Sequence, residues 1–245
     1  MDLLVDSGNS RLKWAYSENG QLSGHGSALR GAAIPEAAQQ DWRQGPVPER
    51  VIAANVAGEA YARQLDQWVQ AQWQRKVEYL QIDACQGGIE PAYAEPGRLG
   101  VDRWLALVAA HRISAADVAV IDAGTALTLD VVTATGRHEG GIIIPGLGLM
   151  MDALLQTSSG IQSGLQPPGG EAGGVLGSDT RSCIEKGALY AVTGGVEHTL
   201  NKFGTDMAVI ICGGNATQVM AGLDRECSHI SDLVLQGIRM IKGES

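Results

Sequence analysis

The chain carries the same short pattern twice, once near its start and once near its middle. An apolar run at 3–5 leads into Asp6-Ser7-Gly8-Asn9-Ser10, and a second apolar run at 118–121 leads into Asp122-Ala123-Gly124-Thr125-Ala126. A short apolar run that ends in Asp and Gly is typical of a buried strand entering a turn, and a second strand-like segment follows each turn. Asp6 and Asp122 lie 116 positions apart. The repeat therefore predicts two related domains that each begin with a hairpin.

The remaining segments predict an α/β protein, because strand-like and helix-like stretches alternate along the chain. We expect two domains, 1–115 and 116–245. The stretches 86–99 and 158–177 are rich in Gly and Pro and are predicted loops. Apolar patterning predicts further strands over 11–16, 21–27, 51–55, 77–82, 127–132, 141–144 and 207–212. It predicts helices over 34–42, 59–72, 101–111, 180–202 and 232–241, and another after residues 145–146.

Charge and cysteine content indicate which kinds of partner and which cellular compartment to expect. The formal net charge is -9 and no long basic run offsets it, which argues against a nucleic-acid partner. The cysteines at 85, 183, 212 and 227 show no paired short spacing, as expected for reduced thiols rather than disulfides or a zinc site. The first residues do not fit a signal peptide, and no stretch of the sequence is apolar enough to span a membrane. We therefore expect a cytoplasmic protein.

Each copy of the repeated pattern has the chemistry of a phosphate-binding turn. Gly8 and Gly124 permit a tight turn and close backbone approach, so that N–H groups can point at an anion. The carboxylates of Asp6 and Asp122 are unsuited to direct phosphate contact, so a cation is expected between them and the phosphates. Lys13 can neutralise a phosphate directly. The alternative is a pair of ordinary β-turns, but two matched copies beside a lysine favour a nucleotide site.

Two further segments carry residues suited to a nucleotide or to a phosphoryl acceptor. The stretch Gly213-Gly214-Asn215 could receive the flat face of a nucleoside, or it could be a plain strand-to-helix turn. Asp102 and Arg103 begin a predicted helix. The helix dipole keeps Asp102 ionised, and an ionised carboxylate can take the proton of a substrate hydroxyl during phosphoryl transfer. Arg103 can pair with an anionic substrate; the alternative is a helix cap beside a surface arginine.

Other common catalytic patterns are absent from the sequence. Gly-x-Ser-x-Gly, Gly-x-Gly-x-x-Gly and the Walker A motif do not occur, which removes three common classes of enzyme. The histidines at 25, 111, 138, 198 and 229 show no metal-ligand spacing, so we assign them no role.

The predicted helix 180–202 is rich in glycine and in other small residues. Such a helix has little stability of its own and needs close packing against a partner. The partner could be another helix of the same domain or a helix of a second subunit. The small residues stand at positions 187, 188, 191, 194 and 195.

Taken in order, several stretches spread over essentially the whole chain resemble the type III pantothenate kinases, within the acetate kinase, sugar kinase, Hsp70 and actin superfamily. They are VDSGNSRLKW, the segment 93–96, LGVDRW, VIDAGTALTLDVV, GGIIIPGLGLM, GSDTRSCIEKG and ICGGN. The resemblance implies two related ribonuclease H-like (actin-like ATPase) domains with a nucleotide cleft between them. It also implies ATP-dependent phosphorylation of pantothenate to 4'-phosphopantothenate, the first step of coenzyme A biosynthesis.

The resemblance also implies roles for individual residues. Asp102 would be the general base, and Asp122 would coordinate a monovalent cation, K⁺ or NH₄⁺, beside Mg²⁺ with ATP. A homodimer formed by helices of the second domain would share its substrate pocket between subunits. The residues implied to bind ATP are Asp6, Ser7, Gly8, Asn9, Ser10, Arg11, Leu12, Lys13 and Thr125. Those implied to bind pantothenate are Tyr93, Gly100, Val101, Asp102, Arg103 and, from the neighbouring subunit, Thr180.

The sequence departs from the family pattern at two places. Ser10 stands where Thr is usual, which keeps the hydroxyl. Ser178 and Asp179 stand where the family typically has Gly-Asn, which bears on the contact expected of Thr180 across a dimer.

Two rival functions share the fold. One is a regulatory, transcriptional accessory relative, which fold alone does not exclude. The presence of Asp6, Lys13, Asp102 and Asp122 together favours catalysis over this alternative. The other is a kinase of the same superfamily that acts on a different hydroxyl acceptor, such as a sugar. The segment 93–103 discriminates here, because it lines the acceptor pocket in the family that the chain resembles.

Overall fold

The computed structural model describes residues 1–83, 87–157, 174–204 and 207–243. The chain divides into two compact units. The first comprises the described residues of the ranges 1–118, 131–140 and 232–245, and the second comprises those of 119–130 and 141–231. The expected boundary after residue 115 is close to the first crossing between units, but the expected domains do not account for the return of two later segments to the first unit.

The first unit is built on a mixed sheet that opens with the predicted hairpin. Its strand order is β3-β2-β1-β4-β5. The pairs β1–β2 and β2–β3 are antiparallel, whereas β4 runs parallel to β1 and β5 runs parallel to β4. The strands are β1 (Asp2–Ser7), β2 (Arg11–Glu18), β3 (Gln21–Leu29), β4 (Arg50–Asn55) and β5 (Val77–Tyr79).

The second sheet repeats this arrangement. Its strand order is β10-β9-β6-β7-β8, so the hairpin β6–β7 takes the place of β1–β2, and β9 takes the place of β4. This equivalence confirms the two related domains that the repeated pattern predicts. The strands are β6 (Val118–Ala123), β7 (Ala126–Val132), β8 (His138–Pro145), β9 (Ala208–Cys212) and β10 (Ser228–His229).

The helices follow the apolar periodicity closely. A short 3-10 turn, Pro96–Arg98, interrupts the predicted loop 86–99. Residues 158–173 of the second predicted loop lie outside the described residues. The helices are α1 (Glu36–Gln44), α2 (Glu59–Trp73), α3 (Val101–Ile113), α4 (Leu147–Thr157), α5 (Thr180–Leu200), α6 (Ala216–Met220) and α7 (Leu233–Lys242).

The apolar run Leu3–Val5 of strand β1 is buried on both faces of the sheet. Successive side chains of a strand point to opposite faces. Leu3 and Val5 join a core with side chains of α1 and α2, and that core includes an edge-to-face pair of Trp14 and Trp42. Leu4, on the other face, is also buried, and α7 contacts β1, β2 and β4.

Helix α7 belongs to the first unit because it packs directly on α3. The two backbones approach closely at Gly237, where a Cβ would lie 2.2 Å from the carbonyl oxygen of Leu105. Arg112 adds a hydrogen bond from Nη1 to the carbonyl oxygen of Met240 at 3.1 Å. This contact links residues far apart in sequence. The division expected from the repeat therefore assigned α7 to the second domain, 116–245.

Two further findings concern the described helices and cysteines. None of the described helices is long and apolar enough to cross a membrane. Among the described residues, Cys183, Cys212 and Cys227 are not joined in disulfides, and Cys85 lies outside the described residues. Burial raises the pKa of the Cys227 thiol.

Candidate active site

The turn between β1 and β2 is held from two sides. Within the turn, the N–H of Gly8 donates to the carbonyl oxygen of Arg11 at 3.0 Å. From outside, Arg30 donates its backbone N–H to the carbonyl oxygen of Ser10 at 2.9 Å and its Nε to that of Asn9 at 2.8 Å. Arg30 was not predicted from the sequence. Its spacing from the turn carries no pattern, and only the pairing of β3 with β2 brings it there.

Three polar side chains lie on the strands at the first turn, and two of them, Asp6 and Ser7, are buried. Asp6 and Lys13 are direct partners in the antiparallel pair β1–β2, so their side chains share one face of the sheet. Asp6 is only 7% exposed. Ser7 is 1% exposed, and its Oγ has no hydrogen-bond partner among the described residues. A buried hydroxyl without a partner is unfavourable by about 1–3 kcal/mol, and a bound ligand that supplies a partner removes this penalty.

The remaining residues expected to bind ATP differ in what they can offer. Asn9, Ser10 and Arg11 are exposed. Arg11 donates from Nη1 to Oγ of Ser27 at 3.2 Å. The side chain of Leu12 is fully buried in the core, so only its backbone is available to a ligand.

The turn between β6 and β7, in the second unit, packs tightly against glycines of two other segments. Only Gly124 and Thr125 separate the two strands. A Cβ on Gly146 would lie 2.3 Å from the carbonyl oxygen of Gly124, and the N–H of Gly146 donates to that of Thr125 at 2.9 Å. Thr125 itself is exposed at the tip of the turn.

The predicted nucleoside turn 213–215 lies directly beside this second turn. Gly213 has a φ of +96°, and a Cβ there would lie 2.4 Å from Oδ1 of Asp122. The N–H of Asn215 donates to the carbonyl oxygen of Ala123 at 3.0 Å. Within the second unit, the glycine turn therefore contacts Asp122 and Ala123 at the start of the turn that carries Thr125.

Asp102 lies in the first turn of α3, where the helix dipole favours a negative charge. Its Oδ1 accepts the backbone N–H of Arg103 at 2.8 Å. Gly100, the residue before the helix, is in close contact with it, since a Cβ on Gly100 would lie 2.5 Å from Oδ1 of Asp102. The carboxylate is partly exposed, so it can receive a proton from a substrate.

Tyr93 and Arg103, both expected to bind the acceptor, contact each other in the first unit. The guanidinium donates from Nη1 to the hydroxyl oxygen of Tyr93 at 3.1 Å, and its central carbon lies 5.9 Å from the centre of the ring. Through Arg103, Tyr93 is therefore connected to the first turn of α3, which carries Asp102. Sequence reasoning missed His138, whose ring stacks on that of Tyr93 with the centroids 6.3 Å apart.

Thr180, at the start of α5, lies in a different surface of the second unit. It lines an apolar groove of about 1010 Å³ between α4 and α5. Asp179 caps the helix by accepting the N–H of Ser182 at 2.9 Å, and this hydrogen bond lowers the pKa of the Asp179 carboxyl. The unusual Ser178-Asp179 pair thus retains the capping function that an Asn would have.

Comparison with known proteins covers nearly the whole chain. The family model for type III pantothenate kinase matches residues 2–202. A type III pantothenate kinase of Nitrosococcus oceani is 37% identical over 251 aligned positions, covering 98% of this chain and 93% of the relative. A second, from Nitrosospira multiformis, is 33% identical, covering 99% of this chain and 91% of the relative.

Solved structures agree on the fold. A Campylobacter jejuni protein assigned to the Baf family of transcriptional activators has a TM-score of 0.60 at 19% identity, with 99% of this chain and 98% of that one covered. The activator of 2-hydroxyisocaproyl-CoA dehydratase from Clostridium difficile, with bound ADPNP, has a TM-score of 0.56 at 10% identity, with 98% and 92% covered. These likenesses concern the fold alone, two α/β domains of the actin-like ATPase type, as expected.

The long match to the family model, the relatives that align along nearly all of the chain and the paired Asp-Gly turns lead to one assignment. This chain belongs to the type III pantothenate kinase family.

Proposed function

We propose that this protein transfers the γ-phosphoryl group of ATP to the primary hydroxyl of pantothenate. The product is 4'-phosphopantothenate, and the reaction is the first step of coenzyme A biosynthesis. The observation that carries the proposal is the family match over residues 2–202, because it includes every residue implied to take part. The protein is accordingly a phosphotransferase with an alcohol group as acceptor.

The ATP phosphates are proposed to bind along residues 6–13, with a further contact from Thr125. Support comes from the buried Ser7 hydroxyl, which has no hydrogen-bond partner among the described residues. The ammonium of Lys13 stands on the same sheet face as Asp6 and supplies positive charge for the phosphates. Leu12 takes part through its backbone only, because its side chain is in the core.

Asp102 is proposed to accept the proton of the pantothenate hydroxyl as the oxygen attacks the γ-phosphorus. In phosphoryl transfer the protein acts chiefly by positioning and by stabilising charge, so the base must be ionised and held in place. The helix dipole favours ionised Asp102, and the N–H of Arg103 fixes one of its oxygens. Arg103 and Tyr93 are proposed to bind pantothenate, the guanidinium pairing with its carboxylate.

A kinase of this kind uses ATP with a divalent metal, and we propose Mg²⁺ and a monovalent cation, K⁺ or NH₄⁺. The described residues contain no cluster of three metal-ligating side chains. Mg²⁺ commonly binds through one or two carboxylates together with phosphates and water, so the single carboxylate of Asp6 fits such a site. Asp122 would hold the monovalent cation. The cations would neutralise charge on the phosphates.

A homodimer is proposed to complete the pantothenate pocket with Thr180. Helix α5 divides its small residues: Ala188 is buried in its own unit, whereas Gly187, Ala191 and Gly194 are exposed. Large apolar side chains on α4, on α5 and just before α5 are also exposed, which is unfavourable unless a partner covers them. They include Leu149, Leu154, Val175, Leu176 and Tyr190. A second copy of the chain is the proposed partner.

We also propose that the protein is located in the cytoplasm.

One assay separates the proposed activity from its rivals. Purified protein is supplied with ATP and MgCl₂ in potassium buffer, and ADP release is followed with pantothenate, with a panel of sugars, and without an acceptor. Release only with pantothenate, together with phosphopantothenate identified by mass spectrometry, is the expected result. Release with a sugar would point to another acceptor, and no release under any condition would favour the regulatory, transcriptional accessory alternative.

A further inference from the structure

His138 is a buried histidine in the first unit, where it begins strand β8. Only 2% of it is exposed. Its Nδ1 accepts the backbone N–H of Ala92 at 3.3 Å. This hydrogen bond ties the imidazole directly to the backbone next to Tyr93. The sequence offered no role for this residue because its contacts are more than 40 positions away.

The backbone around His138 is joined to the segment that precedes Tyr93. The N–H of Glu90 donates to the carbonyl oxygen of Gly136 at 2.9 Å, and the N–H of His138 donates to that of Glu90 at 3.0 Å. Gly136 has a φ of +84°, and a Cβ there would lie 2.1 Å from the carbonyl oxygen of Gly88. The two segments therefore lie in direct backbone contact, which fixes the position of the His138 ring relative to residues 90–93.

The ring of His138 lies nearly parallel to that of Tyr93. The centroids are 6.3 Å apart and the planes differ by 8°. This distance corresponds to an offset stack, a favoured arrangement of aromatic rings. The hydroxyl of Tyr93 in turn accepts Nη1 of Arg103 at 3.1 Å. A chain of contacts thus runs from a buried residue to a guanidinium at the proposed acceptor site.

We propose that His138 is a positioning residue for the acceptor site. It holds Tyr93, by ring stacking and by the hydrogen bond to Ala92, in the place where Tyr93 orients Arg103 toward the carboxylate of the acceptor. This inference rests on the proposed function, in which Tyr93 and Arg103 bind pantothenate. His138 does not touch the substrate itself.

A histidine in this place could instead serve only to fill the core. The two roles differ in the kinetic constant that they affect. Loss of a positioning residue raises the KM for pantothenate selectively, whereas loss of a packing residue lowers stability and affects the use of both substrates. A displacement of about 1 Å in a positioned group can reduce activity by about 10²-fold, so the selective effect is measurable.

The test compares three variants of the full-length protein with a matched control. His138→Ala is expected to raise the KM for pantothenate about tenfold or more, with the KM for ATP within about twofold of wild type. His138→Phe keeps a ring for Tyr93, and His138→Asn keeps an acceptor for Ala92, so at least one of them should recover part of the loss. His229→Ala, which alters an exposed histidine of β10, should leave both constants unchanged.

A double-mutant cycle then asks whether His138 acts through Tyr93. Tyr93→Ala alone is expected to raise the KM for pantothenate, and adding His138→Ala to it should cause little further change. Coupled residues give such non-additive effects, whereas independent ones add. Additive effects, or equal increases in the KM values for ATP and pantothenate in His138→Ala, would overturn the proposal.

Proteolysis tests the same contact without any catalytic readout. Arg98 lies in the segment 93–103, between Tyr93 and Asp102, and its side chain is 75% exposed. Release of Tyr93 from His138 should therefore speed tryptic cleavage after Arg98, mapped by mass spectrometry, in His138→Ala but not in His229→Ala. If wild-type protein does not phosphorylate pantothenate, the proposed function fails while this experiment still decides whether His138 holds the segment. Unchanged cleavage would reject the positioning role.

Discussion

The Cβ that Gly100 lacks would lie 2.5 Å from Oδ1 of Asp102, so the residue before α3 leaves room for the carboxylate. The φ of Gly100 is -58°, a value that alanine adopts readily. Gly100→Ala should therefore preserve the fold but displace Asp102, and we expect kcat to fall by about 10²-fold. Steady-state kinetics with saturating ATP and pantothenate measure the effect.

Gly97→Ala is the matched control for this change, since a Cβ at Gly97 meets no atom within 4 Å. It lies in the same segment and should leave kcat near the wild-type value. Equal activity of the two variants would mean that the position of Asp102 does not limit the reaction.

Asp102→Asn keeps the shape of the side chain but cannot accept a proton. If Asp102 is the general base, kcat should fall by about 10²–10⁴-fold while ATP binding stays nearly intact. Turnover under saturating substrates and titration calorimetry with a non-hydrolysable ATP analogue measure the two quantities. Near-normal turnover would reduce Asp102 to a residue that stabilises the start of α3.

Asp122 is the residue through which we expect activity to depend on a monovalent cation. Activity in buffer with Na⁺ alone should be very low and should recover when K⁺ or NH₄⁺ is added, because a site for the larger cations is not matched by Na⁺. Asp122→Asn should weaken the response to K⁺, measured as the K⁺ concentration that gives half-maximal rate. Equal rates in sodium and potassium buffers would reject a cation role for Asp122.

Thr180 and Asp102 should complement each other if the pocket is shared between subunits. Thr180→Ala is expected to weaken pantothenate use without dissociating the dimer. In a mixed dimer of Thr180→Ala and Asp102→Asn subunits, one pocket carries both defects and the other carries neither, so part of the activity should return. An inactive mixture, despite subunit exchange shown by mass spectrometry, would contradict the shared pocket. A fully active Thr180→Ala parent would contradict the role of Thr180.

The ion pair of Glu197 and Arg225 makes stability depend on pH. Hydrogen bonds from Arg225, with Nη2 at 2.6 Å from Oε2, lower the pKa of Glu197 below its ordinary value of 4.5. The ion pair therefore contributes its full stabilisation at pH values above the ordinary pKa of Glu197. This stabilisation is lost as the pH falls through the lowered pKa. At pH 7, Glu197→Gln should reduce the free energy of unfolding by about 1 kcal/mol. Urea denaturation should show the difference from wild type shrinking as the pH falls below the ordinary pKa of 4.5, and a difference independent of pH would contradict this account.

Most strands and helices could be predicted because their cause is local. The apolar run before Asp6 becomes a strand with both faces covered, and the same pattern before Asp122 becomes its counterpart in the second sheet. Asp102 could be placed at the start of a helix because a helical apolar pattern begins beside it. Two-residue and helical periodicity need only neighbouring positions to be read.

The features that escaped prediction depend on contacts between distant segments. Arg30 reaches the first turn only through the pairing of β3 with β2. His138 reaches Tyr93 through a bridge between backbone segments, and neither the spacing nor the type of these residues indicates it. The assignment of α7 to the first unit likewise rests on its contact with α3. Such contacts are set by topology, which no local pattern specifies.

The packing of α7 on α3 has a consequence for synthesis on the ribosome. Helix α3 carries Asp102, yet the surface that Gly237 presents to Leu105 is made of residues translated more than a hundred codons later. While the second unit is still being made, α3 lacks this apolar cover and exposes surface to chaperones and proteases. The proposed base thus gains its final support only after residues 233–242 emerge, so a nascent chain that stalls earlier should lack an ordered acceptor site.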